Sequence, residues 1–189
     1  MQVSYSLFET PLGWCGIGWS EIANANVPYA VSLLQLPEAT PSLTESRIAR
    51  HAGAAKSSEL PLQILNITTK VRKHLQGELQ DFRNIPVDLS ATGPFVQRVC
   101  ELTRKIPVGQ TITYADLATS MGRPSLARAV GRALGRNPIP LIIPCHRVMA
   151  AHGKPGGFSA FGGRATKAKL LAIEGAVVNL CLELTAGEA

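Results

Sequence analysis

Cys145, His146 and Arg147 stand side by side at the end of the apolar, proline-studded run "IPLIIPCHRV". A thiol, an imidazole and a guanidinium together offer nucleophilic attack by sulfur. The thiolate is the attacking species, and it forms where a base or a cation is close. Pro138, Pro140 and Pro144 exclude a regular helix and favour extended backbone. Ile139, Leu141, Ile142 and Ile143 make that backbone a buried one, which puts Cys145 at the inner end of a pocket. Burial by itself raises a thiol's pKa and makes it inert. In extended chain His146 points away from Cys145. It serves as base only if the chain turns at the cysteine or a water bridges the two. A third group has to orient the imidazole, and Glu174 is the best-placed acid downstream. It sits in "TKAKLLAIEGA", a helical pattern with Leu170, Leu171 and Ile173 apolar and Gly175 as its stop. The competing reading makes Cys145 a small core hydrophobe, the commoner fate of a cysteine.

The other cysteines stand at 15, 100 and 181. In a long chain with no secretory signal they read as free thiols. No C-x-x-C or H-x-x-x-H pair occurs, so neither a structural zinc nor another metal or cofactor is expected. The 189 residues are 46% hydrophobic and 17% charged, enough apolar material for a real core and too little charge for disorder. No run of 18 apolar residues exists, so no membrane partner is expected. The first residues lack a basic stretch followed by an apolar one, and a cytoplasmic location follows, or a nuclear one in a eukaryote.

Charge divides the chain. Residues 1–90 hold seven Lys/Arg against eight Asp/Glu, whereas residues 91–175 hold twelve against three. A basic second half beside a neutral first half points to a polyanion partner.

The elements that must position the thiol follow from periodicity. "PLGWCGIGW" (11–19) alternates like one arm of a hairpin, with "YAVSLLQL" (29–36) as its partner and "NIPVDLS" (84–90) as a third strand. A weak helix is expected around 43–55. A firmer one carries Ile64, Ile67, Val71 and Leu75 and stops at Gly77. Beyond a boundary near 88–93, "GPFVQRVCELTRKIPVG" sets Phe95, Val99, Leu102 and Ile106 on one helical face. "TYADLATSM" (113–121) and "SLARAVGRALGRN" (125–137) are two more helices joined by "GRP", the spacing of a helix-turn-helix.

That last helix has two distinct faces. Leu126, Ala129, Val130, Ala133 and Leu134 form a core face. Ala127, Arg128, Gly131, Arg132 and Gly135 form the other. Two glycines cost roughly 1 kcal/mol each against alanine in a helix interior. A solvent-facing helix gains nothing from them. A smooth basic face suits close approach to a DNA groove, or tight packing against another protein element with arginines at the rim.

Taken together, these stretches resemble the O6-alkylguanine-DNA alkyltransferase family. The motifs are "GPFVQRV", "IPVGQTITYADLA", "GRPSLARAVGRALGRNPIPLIIPCHRV", "GGFSAFGG" and "KLLAIEG", in order across residues 93–175. The N-terminal half matches more loosely, through "FETPLG" and "GELQDF". The resemblance implies an α+β protein in two domains. Residues 1–90 would be a small α/β domain of ribonuclease-H-like type with a three-stranded antiparallel sheet. Residues 91–189 would be mostly helical, with a winged-helix-like helix-turn-helix unit. It implies irreversible, stoichiometric transfer of an alkyl group from O6 of a flipped guanine to Cys145, with O4-alkylthymine as a second candidate substrate.

The same resemblance makes His146 a base acting through water, Glu174 its orienting acid and Asn137 the tie between the DNA-facing helix and the cysteine segment. Tyr114 would lie beside the flipped nucleotide and protonate the leaving guanine. Arg128 would fill the gap left in the base stack. Arg123, Ser125, Ala127, Ala129, Gly131 and Arg132 would complete the DNA surface, entered through the minor groove of a duplex. Val148, Phe158, Ser159 and Lys167 would surround the base, and the protein would act as a monomer. Phe158 stands where the family often has tyrosine, Val108 and Cys100 where it often has aromatics, and Arg132 where some members have glycine. The loop "GGFSAFGG" is longer than the family's shortest. Two other readings remain at this point: a non-catalytic relative that only binds alkylated DNA, and a thiol hydrolase with a Cys–His–Glu triad.

Overall fold

The protein is described by a computed structural model, which covers residues 3–22, 27–52 and 55–176. The tail "VVNLCLELTAGEA", with Cys181, lies outside the described residues.

Strand β1 (Val3–Thr10) turns through Pro11 and Leu12 into β2 (Gly13–Glu21). Thr10 pairs with Gly13, whose φ of 117° suits glycine alone, and the Thr10 hydroxyl donates to the Gly13 carbonyl at 2.7 Å. β3 (Tyr29–Gln35) pairs antiparallel with β2 on its other side, as its alternation predicts. Helix α1 (Pro41–Ala52) precedes β4 (Ala55–Lys56), which pairs parallel with β1. The sheet order is β3-β2-β1-β4.

This corrects the expected three-stranded antiparallel sheet. "VSYSLFET" is a full strand, and the short β4 adds a parallel edge. The expected strand over 84–90 reduces to one bridge, Val87 to Val31. Pro86 can accept there, from Val31 N–H at 2.9 Å, but has no N–H to extend the ladder.

β2 is covered on both faces. Ile48 of α1 packs on Gly16, where a Cβ would come within 2.7 Å of the isoleucine. Cys15, Ile17 and Trp19 meet α2 (Leu62–Leu75) through Ile64, Ile67 and Val71.

The basic half is built from α3 (Pro94–Thr103), β5 (Ile112–Thr113), α4 (Tyr114–Ser120), α5 (Ala127–Leu134), β6 (Val148–Met149) and α6 (Arg164–Ile173). α4 begins with a capping box in which Thr113 and Asp116 satisfy each other's backbone N–H groups. A 3-10 turn over Pro124–Leu126 occupies the start of the expected 125–137 helix, and the α-helical part is shorter at both ends. Phe95 is exposed rather than on the buried face. α3 buries Val99, Cys100 and Thr103 instead, because Cys100 faces the core shared with the sheet. That core also takes in Ile139, Leu141, Ile142 and Ile143, so the cysteine segment is clamped between the two halves. The N–H of Leu34 in β3 donates to the Pro138 carbonyl at 2.9 Å.

Candidate active site

Asn137, just past the end of α5, shapes the segment that carries the thiol. Its Oδ1 accepts from the Ile139 N–H at 3.0 Å, and its Nδ2 donates to the Ile143 carbonyl at 2.8 Å. Between them Leu141 is fully buried with φ at 74°, a left-handed conformation that a leucine holds only where its surroundings enforce it. Cys145–Arg147 then forms a single 3-10 turn. The chain therefore turns at the cysteine, which is one of the two conditions for His146 to act on it.

Glu174, capping the C-terminus of α6, is the hub behind the thiol. Its Oε1 accepts from His146 Nε2 at 3.0 Å, from His74 Nε2 at 3.0 Å and from Arg147 Nη2 at 2.7 Å. Its Oε2 accepts from Arg147 Nε at 2.8 Å, completing a bidentate pair. Arg147 Nη1 donates to the Ile106 carbonyl at 2.6 Å. Burial alone would raise the Glu174 carboxyl, but donors from His146, His74 and Arg147 outweigh it and hold the group ionised far below the carboxylate range.

An ionised carboxylate only accepts, so His146 carries its proton on Nε2. Nδ1 is left with a lone pair, buried and without a protein partner among the described residues. Burial pushes the His146 pKa below 6.5, against the pull of Glu174, so the ring is a neutral base at neutral pH.

The thiols differ in their surroundings. Burial pushes Cys15 and Cys100 to about 12. Burial also raises Cys145, but the Asn137 amide and the charge of Lys167 oppose it. Lys167 is itself fully buried, its ammonium donating to the Val148 carbonyl at 2.6 Å and to that of Pro155. Burial pulls it down to about 8.

Cys145 opens onto a cleft of about 780 Å³ between α4, α5 and the 150–159 loop. Tyr114, Ala127, Arg128, Gly131 and Arg132 line one side, with Phe158 and Ser159 opposite. The Tyr114 ring is wedged against Gly156, where a Cβ would come within 3.1 Å of it, and Lys167 Nζ lies 5.9 Å from its centroid. Burial raises the Tyr114 phenol, which keeps it a proton donor. Arg128 and Arg132 are exposed.

Not every expected residue reaches the cleft. Arg123 and Ser125 are exposed on the approach to α5 and do not line it, and Ala129 is half-buried away from it. Val148 is fully buried and offers its carbonyl to Lys167 rather than to the cleft. Neither Gly131 nor Gly135 is required inside the fold. A Cβ at Gly131 would meet Tyr114 at an ordinary 3.8 Å, and one at Gly135 only its own helix's carbonyl oxygens, at 3.5 and 3.6 Å.

Two members of the hub were missed from sequence. Arg147 was visible in the motif but given no role. His74 reads as one more basic residue of "KVRKHL". The available signal was its place on the buried stripe, three residues after Val71 and seven after Ile67.

Comparison with known proteins finds relatives in both sequence and fold. Residues 94–176 match the family model described as 6-O-methylguanine DNA methyltransferase, DNA binding domain. A methylated-DNA–protein-cysteine methyltransferase of Metallosphaera sedula is 43% identical over 111 residues, 59% of this chain and 67% of that one. The protein of the same name from Mycolicibacterium paratuberculosis is 36% identical over 151 residues, 78% of this chain and 89% of that one. The crystal structure of Mycobacterium tuberculosis OGT in complex with DNA superposes with a TM-score of 0.70 at 30% identity, covering 91% of this chain and 92% of that one. Cys145 with its His146–Glu174 support, the mixed α+β fold and these relatives lead to one assignment: the chain belongs to the methylated-DNA–protein-cysteine methyltransferase family.

Proposed function

We propose that this protein repairs DNA by moving the alkyl group of O6-alkylguanine onto Cys145 Sγ, once per molecule. The observation that carries the reading is a thiol at the floor of a base-sized cleft, backed by a neutral His146 whose Nδ1 has no protein partner among the described residues.

The O6 atom of a stacked guanine is out of reach of a pocket nucleophile, so the nucleotide has to swing out, at a cost of a few kcal/mol. α4 and α5 act as a helix-turn-helix pair, with the small, basic face of α5 in the minor groove. Arg128 enters the stack in place of the departed base, and Arg123, Ser125 and Arg132 hold neighbouring phosphates. Phe158 and Tyr114 flank the flipped base, with Ser159 reading its edge.

His146 Nδ1 takes the Cys145 proton through one water as the sulfur attacks. Glu174 stabilises the imidazolium that forms, and Lys167 the thiolate. The new bond is sulfur to alkyl carbon, and the bond broken is alkyl carbon to O6. The electron pair leaves on guanine, and Tyr114 protonates the leaving base. Its phenolate is reprotonated from solvent, while the imidazolium gives up its proton there. A thioether has no route back to thiol with the groups present, so one chain acts once. All the groups come from one chain, which supports action as a monomer. We divide the roles at residues 90/91: the first part braces the site and the second binds DNA and accepts the alkyl group.

The test is incubation with duplex DNA carrying radiolabelled O6-methylguanine, and separately O4-methylthymine. One label per protein molecule on Cys145, located by mass spectrometry, is the expected result for the guanine lesion. Tight binding without transfer, or catalytic release of free label, overturns the reading.

A further inference from the structure

His74 comes from α2 in the N-terminal half, far in sequence from the motifs around the thiol, yet its side chain is fully buried against Glu174. We infer that His74 is a positioning residue for alkyl transfer: its Nε2–H, fixed on Glu174 Oε1, sets the orientation and strength of the carboxylate that supports His146, so the N-terminal half tunes the reactivity of Cys145. The inference rests on the proposed transfer to Cys145.

Three observations fix what His74 can do. The first is its tautomer. Gly77, with φ at 98°, reverses the chain after α2 and brings the Gln80 N–H to His74 Nδ1 at 3.1 Å. Nδ1 therefore accepts, and the ring proton sits on Nε2, 3.0 Å from Glu174 Oε1. A protonated ring would set Nδ1–H against the Gln80 N–H, donor against donor. His74 is thus held as a neutral donor and is not a second base.

The second observation is the shared acceptor. His74 and His146 donate to the same oxygen, at 3.0 Å each. Every donor on a carboxylate draws charge from the others. With His74 in place, Glu174 supports an imidazolium at His146 less strongly, and His146 stays neutral to lower pH. The charged and titratable groups around the hub are His146 and Arg147 on the 3-10 turn, His74 on α2 and Asp81 on the following loop, whose carboxyl feels the Arg147 charge.

The third is rigidity. The His74 ring packs on Phe82 with centroids 5.0 Å apart and planes inclined at 53°. α2 itself is anchored on the sheet through Ile64, Ile67 and Val71. A donor on so firm a base fixes the carboxylate as a mobile side chain could not.

The test uses the full chain and labelled free O6-benzylguanine, which removes DNA binding from the measurement. Rates are taken from pH 5 to 9 for wild type, His74→Phe and His74→Gln, with thermal melts alongside. Phenylalanine removes the donor and keeps the ring; glutamine keeps an N–H at the Nε2 position. H74F is expected to lose about tenfold in rate, with its acid limb moved to higher pH by about half a unit or more. H74Q is expected to recover most of the rate and return the limb toward wild type. H74F indistinguishable from wild type, or slower with an unmoved limb and no recovery in H74Q, overturns the inference. Nitrogen-15 NMR of wild type gives a test independent of folding in the variants: His74 is expected as the neutral Nε2–H tautomer, and an Nδ1–H or doubly protonated ring overturns the inference. Wild type that takes up no label rejects the proposed transfer itself, a result distinct from failure of the His74 variants.

Discussion

Both halves of the molecule bury cysteine, and Cys15 in the first has surroundings unlike those of Cys145 in the second. Cys15 lies in β2 against Ile17, Trp19 and α2, with the Thr10 hydroxyl 3.7 Å from its sulfur. Cys145 is buried as well, but Asn137 and Lys167 oppose the effect of that burial on its thiol, and a neutral base follows it in sequence. Charge follows the same division, with twelve Lys/Arg against three Asp/Glu in residues 91–175 and seven against eight in residues 1–90. Burial gives a thiol shelter without reactivity; polar groups held in place supply the rest. The N-terminal half still contributes, because its core fixes the ring of His74 on Glu174.

The sharpest way to break the contrast is to alter each thiol in turn. Cys145→Ser should abolish transfer while leaving duplex affinity within about twofold, since the sulfur lies beneath the DNA-facing surface. Cys15→Ala should keep stoichiometric transfer and lose about 1 kcal/mol of stability, read by denaturant unfolding. Label appearing on Cys15, or affinity lost along with Cys145, would dissolve the distinction.

Glu174→Gln should come next. It leaves Arg147 buried without its charge partner, which costs on the order of 3–5 kcal/mol. Transfer should slow at least a hundredfold even at temperatures where the variant is folded.

Arg128→Ala separates DNA handling from chemistry. It should slow repair of a duplex by about tenfold and leave reaction with free O6-benzylguanine unchanged, because the arginine acts on the stack and not on the sulfur. Stopped-flow and gel assays on the two substrates decide this.

The pH profile on free substrate sharpens the account of the base. His146 in the folded protein titrates below 6.5, so it is neutral and able to accept a proton at neutral pH. The rate should hold through neutrality and fall only as acid drives the ring to imidazolium below that value. A decline already complete at neutral pH would exclude His146.

The smallest effect has opposite signs in two measurements. Gly131→Ala should stabilise α5 by about 0.5–1 kcal/mol, because the added methyl meets nothing closer than Tyr114 at 3.8 Å. It should also weaken duplex binding a few-fold, because the methyl stands between helix and groove. Stability and affinity rising together would place the partner elsewhere.

Much of the site was legible in the residues. The prolines and isoleucines around Cys145 specify a buried irregular segment, and the helical patterns of α2, α3 and α6 are local enough to read directly. The missing strand β1 was legible in principle, since Tyr5 and Phe8 are apolar and buried on its opposite faces, but its pairing with both β2 and β4 is a long-range choice. Phe95 was assigned to the wrong face because an amphipathic stripe fixes a face only to within a residue or so. What packs against α3 made Cys100 the buried position instead.

By itself the sequence determined the chemical inventory and the local geometry: a thiol beside an imidazole, a helix with a smooth basic face, turns set by glycine and proline. These follow from steric and periodic rules that act within a few residues. Tertiary structure alone decided that His74 and His146, from opposite halves, share one oxygen of Glu174, and that Lys167 reaches the carbonyl of Val148. Such meetings depend on how helices and strands pack across the whole core, and no local pattern encodes which buried polar group will find which partner.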